Sequence, residues 1–350
     1  MRPITCATLR HRTSVLFLTS ALLVASLVAV LFVASGSAAT KATATTTNDP
    51  GRALEKDFVR VVKAVRPSVV EISTDSGLGS GVIFDNKGDI VTNAHVVGAA
   101  TTFTVDFSNG TSQSGHLVAT YVPDDLAVIQ VTSPKGLKPA HFGNSSSLEV
   151  GDIVLAMGNP LGLSSSVTDG IVSFNGRAVN EGDGVVLPDL IQTSAAINPG
   201  NSGGALIDLS NQVVGIPTLG ATSGSSAAPG LGFAIPSNTV KLIAPQLIAK
   251  GTVTTSGRAA LGISGADAVS FSGASVGVVV TSLEANGPAA KVGIVVGELI
   301  TAVNGEPTPE LTTLQTVLAS LKVGASVTVS VTSPSGAKRN ATVRLSDLAQ

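Results

Sequence analysis

The chain of 350 residues is poor in cysteine, in aromatic side chains and in charge. Its single cysteine, Cys6, lies near the N-terminus, which excludes disulfides, cysteine catalysis and cysteine-ligated zinc from the rest of the chain. Tryptophan is absent and tyrosine occurs once, so a platform of aromatic rings for stacking bases is not expected. Only 13% of the residues are charged and the formal net charge is −2, which argues against nucleic acid as a partner.

Glycine and hydrophobic residues, in contrast, are plentiful, with 38 glycines and a hydrophobic fraction of 43%. Such a hydrophobic content excludes disorder of the whole chain. Valine and threonine are also frequent, and together with glycine they favour β-strands joined by tight turns. A chain of this length has room for about two domains, each with its own hydrophobic core.

The first 39 residues show the order of zones that marks a secretory leader. Arg2, Arg10 and Arg12 precede an apolar run over residues 15–34, and small residues follow at 35–39. The apolar run is also long enough to cross a bilayer as a helix. A cleaved signal peptide ending near Ala39 and an uncleaved membrane anchor are therefore both open interpretations. Either one places the rest of the chain outside the cytoplasm, because the basic end stays inside.

Residues 40–51 are interpreted as a polar linker, and residues 52–251 as an all-β domain. Apolar residues recur at helical spacing over residues 54–65, and Pro67 ends that helix. Many short apolar or alternating runs then predict a β-barrel or a sandwich. A helix over residues 238–250 follows, with Ser237 as its N-cap and Gly251 at its C-terminal end. The predicted strands are 69–73, 81–84, 89–93, 103–107, 126–131, 153–157, 171–174 and 213–216.

After a short polar linker at residues 252–257, residues 258–350 predict a smaller domain that mixes strands and helices. Thr308 as cap, Pro309 in the first turn and apolar residues from Leu311 to Leu321 predict one helix. A domain of this size can fold alone. Its predicted strands are 277–282, 299–303, 326–332 and 339–345.

The most informative segment, residues 198–204, places Ser202 among glycines. Glycine-rich turns can gather backbone N–H groups beside a serine hydroxyl, where they stabilise the oxyanion of acyl transfer. The segment also fits the Gly-x-Ser-x-Gly pattern of α/β-hydrolases, but those enzymes need a histidine after the serine, and the last histidine here is His141. The subtilisin order belongs to an α/β fold that these short strands do not support. The chymotrypsin order of histidine, aspartate and serine remains.

His95 and Asp125 are the candidates for the other two members of such a triad. His95 follows the predicted strand at 89–93, and Asp125 stands at the start of the apolar run at 126–131, with Asp124 beside it as a rival. Either residue alone is a weak signal, because most single histidines and most aspartates at strand starts are structural. The three residues in this order are a much stronger indication of serine-protease chemistry. Three scattered histidines and no cysteine in the body predict neither a metal site nor a cofactor.

Six segments share one order and spacing with a known family: residues 79–83, 92–97, 125–128, 158–162, 197–204 and 232–236. In these segments the chain resembles the HtrA/Deg-type serine proteases. The resemblance implies an all-β, chymotrypsin-like double β-barrel and endopeptidase activity toward unfolded or damaged polypeptides. It makes Ser202 the nucleophile, His95 the general base and Asp125 the residue that orients the imidazole. It also implies an oxyanion hole from the N–H groups of Gly200 and Ser202, with Asn201 between them.

The resemblance extends to the specificity pocket. In this fold the residue six positions before the nucleophile lies at the base of the pocket, and here it is the uncharged Ala196. With Ile197 and Ile216 nearby, small or medium aliphatic residues are expected at the cleavage site. Pro217 has no N–H, which alters the strand edge that would hold the substrate.

The C-terminal domain resembles the PDZ domains that are appended to these proteases. Residues 260–263, 288–293 and 297–305 carry this resemblance. It implies a smaller α+β domain in which Leu261, Gly262 and Ile263 capture peptide C-termini while the peptide adds a strand to the sheet. Members of the family often form trimers through the N-terminal segment of the protease, so a homotrimer is an expectation from the resemblance.

Two other functions are compatible with the residues. One is a non-catalytic chaperone or scaffold, against which the complete triad argues. The other is a serine esterase on the same barrel, which would prefer small esters to extended polypeptide. The leading interpretation is an extracytoplasmic serine endopeptidase of protein quality control, secreted or held at the membrane by its N-terminal segment.

Overall fold

The computed structural model describes residues 49–75, 77–159, 166–182, 185–198, 200–223 and 226–349. The predicted leader at residues 1–39 lies outside these residues, as does most of the predicted linker at 40–51. Among the described helices, none combines the length and the apolar character needed to span a membrane.

Helix α1 (Pro50–Val65) opens the described chain and confirms the helix predicted over residues 54–65, with four more residues at its start. It buries Val61 and Val65 against the core and leaves its charged residues in solvent. A single turn of 3-10 helix at Arg66–Ser68 follows, and Pro67 within it has no N–H to continue the α-helix.

Six antiparallel strands form the first β-barrel: Val69–Ser73 (β1), Leu78–Ile83 (β2), Asp89–Thr92 (β3), Thr102–Asp106 (β4), Ser112–Tyr121 (β5) and Leu126–Val131 (β6). They close in the order β1-β2-β3-β6-β5-β4, since β1 pairs with both β2 and β4. A short helix α2 (Ala94–Val97) leaves the end of β3.

Six further strands form a second barrel: Ile153–Gly158 (β7), Ser166–Gly182 (β8), Val185–Thr193 (β9), Ala205–Asp208 (β10), Val213–Ser223 (β11) and Ser226–Pro236 (β12). Their order is β10-β11-β12-β9-β8-β7, and β10 pairs with β7 to close the barrel. Helix α3 (Ser237–Lys250) follows. Two closed barrels confirm the expected double-barrel fold.

Strand alternation divides the apolar residues between the inside of each barrel and a core shared by both. In β6, Ala127 and Ile129 point into the first barrel, whereas Leu126 and Val128 join the shared core. Both faces of this strand are therefore buried, which explains its unbroken apolar sequence. Leu155 and other residues of the second barrel meet the same shared core, so the two barrels pack firmly against each other.

The C-terminal domain contains a mixed set of strands and helices around its own core, as expected for a PDZ domain. The elements are Ala259–Ala260 (β13), Ile263–Val269 (β14), Ser275–Leu283 (β15), Pro288–Lys291 (α4), Leu299–Val303 (β16), Glu306–Pro307 (β17), Leu311–Ala319 (α5), Ser326–Thr332 (β18), Lys338–Arg344 (β19) and Ser346–Asp347 (β20). The main sheet has the order β14-β15-β16-β18-β19, with β17 paired to β16, while β13 pairs with β20.

Every predicted strand overlaps an observed one, but both predicted N-caps are wrong. Ser237 is already helical, and its hydroxyl donates to the carbonyl oxygen of Gly143 at 3.0 Å instead of capping α3. Helix α5 starts three residues after Thr308, and its first N–H donates to the carboxylate of Asp267 at 2.6 Å. In both cases a residue distant in sequence competes with the local cap. Gly251 does end α3 in the left-handed conformation predicted for it.

Candidate active site

The end of strand β3 and the start of strand β6 bring His95 and Asp125 together. The two strands are antiparallel neighbours in which Thr92 pairs with Ala127, so the chain leaves β3 beside the point where it enters β6. The Nδ1 atom of His95 lies 2.8 Å from Oδ2 of Asp125, and the N–H of His95 donates to Oδ1 at 2.9 Å. Asp125 therefore binds both the ring and the backbone of His95.

The backbone of Asp125 adopts a conformation that is rare for a residue with a side chain. Its φ of 48° and ψ of 42° lie in the left-handed region. The carbonyl oxygen of Asp125 accepts hydrogen bonds from the side-chain amide of Asn93 and from the N–H of Ala94, both at 3.1 Å. These contacts hold the strained residue in place, as is common at functional sites. The Asp125 side chain is 3% exposed and that of His95 is 41% exposed, so only the ring is open to a ligand.

Thr218, in strand β11 of the second barrel, connects Asp125 with Ser202. Its hydroxyl donates to Oδ2 of Asp125 at 2.6 Å, and its carbonyl oxygen accepts from the hydroxyl of Ser202 at 3.3 Å. Hydrogen bonds therefore run from His95 through Asp125 and Thr218 to Ser202. The structure brings together all three residues of the predicted triad, with the first two on one barrel and the third on the other.

The loop that carries Ser202 is fastened between the two barrels. The carbonyl oxygen of Ser202 accepts from the N–H of Ser80 in β2, and the N–H of Gly203 donates to the carbonyl of Pro217, both at 2.9 Å. Gly203 has a φ of +80°, and a Cβ there would collide with the carbonyl oxygen of Ser80 and the hydroxyl of Thr92. Only glycine fits this position without displacing its neighbours.

The predicted oxyanion-hole residues differ in how their N–H groups are used. The N–H groups of Gly200 and Ser202 donate to no atom of the described residues. The N–H of Asn201 between them donates to the carbonyl of Asn198 at 3.1 Å, and its side chain donates to the carbonyl of Ala196 at 3.1 Å. Asn201 thus holds the loop through its backbone and its side chain.

The three predicted pocket residues do not all lie at one place. Ala196 is exposed beside the loop that carries Ser202, and Ile197 is half-buried against the second barrel. A Cβ on Gly232 would collide with Cγ1 of Ile197, so the Ile197 side chain lies directly against β12. Ile216 is fully buried in the core shared by the barrels. Ala196 and Ile197 thus bring no charge to the surroundings of the loop that carries Ser202.

Asp124, the rival for the third role, binds Arg258 rather than His95. Its Oδ1 lies 3.0 Å from Nη1 of Arg258, and the same guanidinium donates to the carbonyl oxygens of Pro123 and Val186. Burial raises the pKa of Asp124 to about 6, although the positive charge of Arg258 works in the opposite direction. The ion pair fastens the residues before Asp125 to the start of the C-terminal domain.

In the C-terminal domain, Leu261, Gly262 and Ile263 line a groove of about 520 Å³. The N–H groups of Leu261 and Gly262 donate to no atom of the part of the chain that the structure describes. Gly262 has a φ of +69°, and a Cβ there would lie 2.9 Å from Oε2 of Glu284. Helix α5 provides the opposite wall through Leu311, Leu314, Gln315 and Leu318.

The sequence analysis missed Thr218, Asn93 and Ser80 as residues of the site. Asn93 and Ser80 lie inside segments that carried the family resemblance, and Thr218 follows Pro217 on the strand expected to hold substrate, which were the available signals. Their partners in the site are from 12 to 122 positions away in the sequence. Among the described residues, no group of three or more His, Cys, Asp or Glu side chains is placed to hold a metal ion.

Two protein families match the chain in separate segments. The trypsin-like peptidase domain matches residues 79–216, and the PDZ domain matches residues 259–345. The first match contains His95, Asp125 and Ser202, and the second contains the groove at Leu261–Ile263. The order of the two domains agrees with the fold described above.

Curated relatives include two named serine proteases. The periplasmic serine endoprotease DegP of Escherichia coli K12 is 40% identical over 260 residues, which cover 72% of this chain and 53% of DegP. Serine protease PepD of Mycobacterium tuberculosis is 38% identical over 321 residues, which cover 85% of this chain and 67% of PepD. The chain thus spans about half the length of DegP.

Solved structures with similar folds cover most of the chain. The serine endoprotease from Yersinia pestis has 31% sequence identity and a TM-score of 0.56, with 83% of this chain and 98% of that chain aligned. The HtrA-type protease AlgW with a tripeptide has 31% identity and a TM-score of 0.58, with 84% and 97% aligned. On these grounds the chain belongs to the HtrA-type family of serine proteases, with a trypsin-like peptidase domain followed by one PDZ domain.

Proposed function

We propose that this chain is an extracytoplasmic serine endopeptidase that cleaves unfolded or damaged proteins through Ser202, His95 and Asp125. The observation that supports it most is the series of hydrogen bonds from His95 through Asp125 and Thr218 to Ser202. It favours Asp125 over Asp124 as the acidic member, because Asp125 binds the imidazole while Asp124 binds Arg258.

The proposed reaction follows from the donors and acceptors of these groups. Asp125 accepts a hydrogen bond from the protonated Nδ1 of His95, so that Nε2 carries no proton and acts as the base. The hydroxyl of Ser202 turns from the Thr218 carbonyl toward Nε2, transfers its proton and attacks the substrate carbonyl carbon. The N–H groups of Gly200 and Ser202 bind the oxyanion, and His95 then protonates the leaving amine. Water releases the acyl group from Ser202 by the same steps.

The surroundings of Ala196 and Ile197 support a preference for small or medium aliphatic side chains at the cleaved bond. Neither residue brings a carboxylate, which a pocket for lysine or arginine would need. Ile197 fills the space in front of Gly232, which narrows the pocket from the side of β12. Ile216 would act on this preference only through the core, since it is fully buried.

The groove of the C-terminal domain is proposed to bind peptide C-termini. The unused N–H groups of Leu261 and Gly262 suit a terminal carboxylate, and the leucines of helix α5 suit an apolar last side chain. Gly262→Ala should weaken binding of a peptide with a free apolar C-terminus at least tenfold, because its Cβ would press on Glu284. Gly293→Ala is the matched control, with a similar positive φ and open space around the Cβ. Equal affinity in the two variants would argue against this groove.

The periplasmic location of DegP supports placement of this chain outside the cytoplasm. Attachment to the membrane through residues 15–34 and assembly into a homotrimer belong to the same proposal. Light scattering on the purified full chain measures the second point directly, since a trimer has three times the mass of the 34.8 kDa chain.

Degradation of casein by the full-length chain tests the proposal. We expect cleavage by the unchanged chain and by Ser210→Ala, which alters an exposed turn, and none by Ser202→Ala. Equal cleavage by Ser202→Ala would overturn the assignment of the nucleophile. If no variant cleaves casein, peptides with free apolar C-termini are added, and continued inactivity would overturn the endopeptidase function.

A further inference from the structure

Ser80, in strand β2 of the first barrel, is completely buried and yet makes four hydrogen bonds to other parts of the site. Its hydroxyl donates to the carbonyl oxygen of Gly200 at 2.5 Å and accepts from the N–H of Asn159 at 2.9 Å. Its carbonyl oxygen accepts from the hydroxyl of Thr92 at 2.7 Å, and its N–H donates to the carbonyl of Ser202 at 2.9 Å.

Two of these bonds hold Gly200 and Ser202, whose N–H groups donate to no atom of the described residues. Gly200 is held at its carbonyl by the side chain of Ser80, and Ser202 is held at its carbonyl by the backbone of Ser80. These bonds fix the peptide groups that follow Gly200 and Ser202 in the chain, and they anchor each of the two residues on its C-terminal side. Asn201, between them, is held separately through Asn198 and Ala196.

Gly200 needs such a restraint more than its neighbours do. It has a φ of +104°, and glycine without a Cβ can rotate its peptide groups at little cost. Rotation about the backbone bonds of Gly200 would turn its N–H group away from the position where a donor is needed. The hydroxyl of Ser80 restricts this freedom, and it is itself oriented by the N–H of Asn159 on the second barrel.

We propose that Ser80 is a positioning residue of the oxyanion hole, which anchors Gly200 and Ser202 through their carbonyl groups and so limits the directions that their own N–H groups can take. This inference rests on the proposed function, in which these N–H groups stabilise the transition state. Ser80 is not a second nucleophile, since its hydroxyl is buried and already engaged as donor and acceptor. Loss of the hydroxyl affects the transition state more than substrate binding, because the oxyanion forms only during the reaction.

Ser80→Ala in the full-length chain provides the test, with Ser237→Ala as its matched control. Both serines are completely buried and both donate to a glycine carbonyl. Ser237, however, lies at the start of α3 and binds Gly143, outside the site. We expect a fall in kcat of roughly 10- to 100-fold for Ser80→Ala on a peptide substrate, with KM changed less than threefold. Ser237→Ala should keep kcat within twofold. Assays are run well below the melting temperature of both variants.

A second measurement separates positioning from a loss of fold. A peptide boronate forms a tetrahedral adduct with Ser202 and places an oxygen in the hole, and its affinity should fall about as much as kcat in Ser80→Ala. Binding of an uncleaved substrate peptide should remain unchanged when Ser80→Ala is combined with Ser202→Ala. Unchanged kcat and boronate affinity in Ser80→Ala, or equal losses in Ser237→Ala, would overturn the inference. The proposed function would fail instead if Ser202→Ala alone kept its activity.

Discussion

Asp125 holds His95 at two points, accepting from its ring Nδ1 at 2.8 Å and from its backbone N–H at 2.9 Å. The backbone contact fixes where the histidine lies, and the ring contact fixes which nitrogen carries the proton. The carboxylate that does this is almost inaccessible to water, while the ring remains accessible. A hydrogen bond in such a place keeps its strength, since solvent does not compete for the acceptor.

Asp125→Asn should preserve the fold and remove most of the activity. The amide nitrogen that replaces Oδ2 would donate to Nδ1, so that the imidazole carries its proton on Nε2. A protonated Nε2 cannot accept the proton of Ser202. We expect kcat at neutral pH to fall roughly 10³- to 10⁴-fold. Steady-state cleavage of a peptide measures this, and far-UV circular dichroism checks the fold. A fall of less than tenfold would contradict the assigned role.

Thr218→Val should weaken catalysis less than Asp125→Asn does. Valine keeps the shape of threonine and the backbone carbonyl that accepts from Ser202, but it loses the hydroxyl that donates to Asp125. Hydrogen bonds to charged groups contribute about 1.5 to 3 kcal/mol, so kcat should fall roughly 10- to 100-fold. Thr104→Val, on the exposed side of β4, is the control and should leave kcat unchanged. Equal kcat values in the two variants would contradict a role of the Thr218 hydroxyl in catalysis.

Gly203→Ala should destabilise the chain far more than Gly110→Ala. Both glycines have a φ near +80°, so the conformational strain of alanine is similar, about 1 to 2 kcal/mol. A Cβ at Gly203 also collides with Ser80 and Thr92, whereas nothing lies within 4 Å of one at Gly110. In urea unfolding, the free energy of unfolding of Gly203→Ala should be about 1 to 3 kcal/mol lower than that of Gly110→Ala. Similar midpoints for the two variants would mean that the loop is not packed as described.

Asp89 should make the protein less stable as the pH rises toward neutrality. Burial, helped by a hydrogen bond with Asp85, raises the pKa of Asp89 to about 6 from its ordinary value of 3.8. The folded chain therefore binds this proton more tightly than the unfolded chain does. The resulting stabilisation is fully present below about pH 3.8 and is lost as the pH rises through about 6.

Asp89→Asn, which stays neutral, is therefore expected to exceed the unchanged chain in free energy of unfolding at pH 8 by about 1 to 3 kcal/mol. The difference should shrink toward zero near pH 4. Chemical unfolding at both pH values measures it, and Asp75→Asn, on an exposed carboxyl, is the control. A difference that is the same at pH 8 and pH 4 would contradict a raised pKa of Asp89, because it would mean that the folded and unfolded chains bind this proton equally well.

Arg258→Met should destabilise the junction between the domains by leaving Asp124 buried without a cation. Removing one partner of a buried ion pair costs about 3 to 5 kcal/mol, whereas removing both costs less. The double variant with Asp124→Asn should thus be more stable at pH 8 than Arg258→Met alone. The same comparison at pH 5 should show a smaller gap, since Asp124 with its raised pKa takes up a proton there. Additive effects of the two substitutions would contradict the pairing.

The sequence was sufficient for the elements that depend on local pattern. Apolar periodicity located α1, β6 and four of the C-terminal strands, namely β15, β16, β18 and β19. The order of His95, Asp125 and Ser202 identified the triad candidates before any geometry was known. Strand β5 was missed because its first half is polar and only partly buried. Strands β9, β10, β12 and β14 were missed as well.

The remaining parts of the site depend on contacts that no local pattern encodes. Ser80 lies 120 positions before Gly200, and Thr218 lies 93 positions after Asp125. The caps expected at Ser237 and Thr308 failed for the same reason, since Gly143 and Asp267 bind at those places from elsewhere in the fold. Ile216 looks like a pocket residue in sequence, but its strand turns that side chain into the core.

Mapping of a covalent label tests whether Ser202 is the activated nucleophile. The full-length chain is treated with a fluorophosphonate, which reacts with a serine that a neighbouring base activates, and the modified peptide is located by mass spectrometry. We predict one phosphonyl group on Ser202, loss of casein cleavage in proportion to labelling, and no label on Ser202 in His95→Ala. Casein cleavage that continues with Ser202 fully labelled, or a label on another serine that accompanies inactivation, would contradict the account.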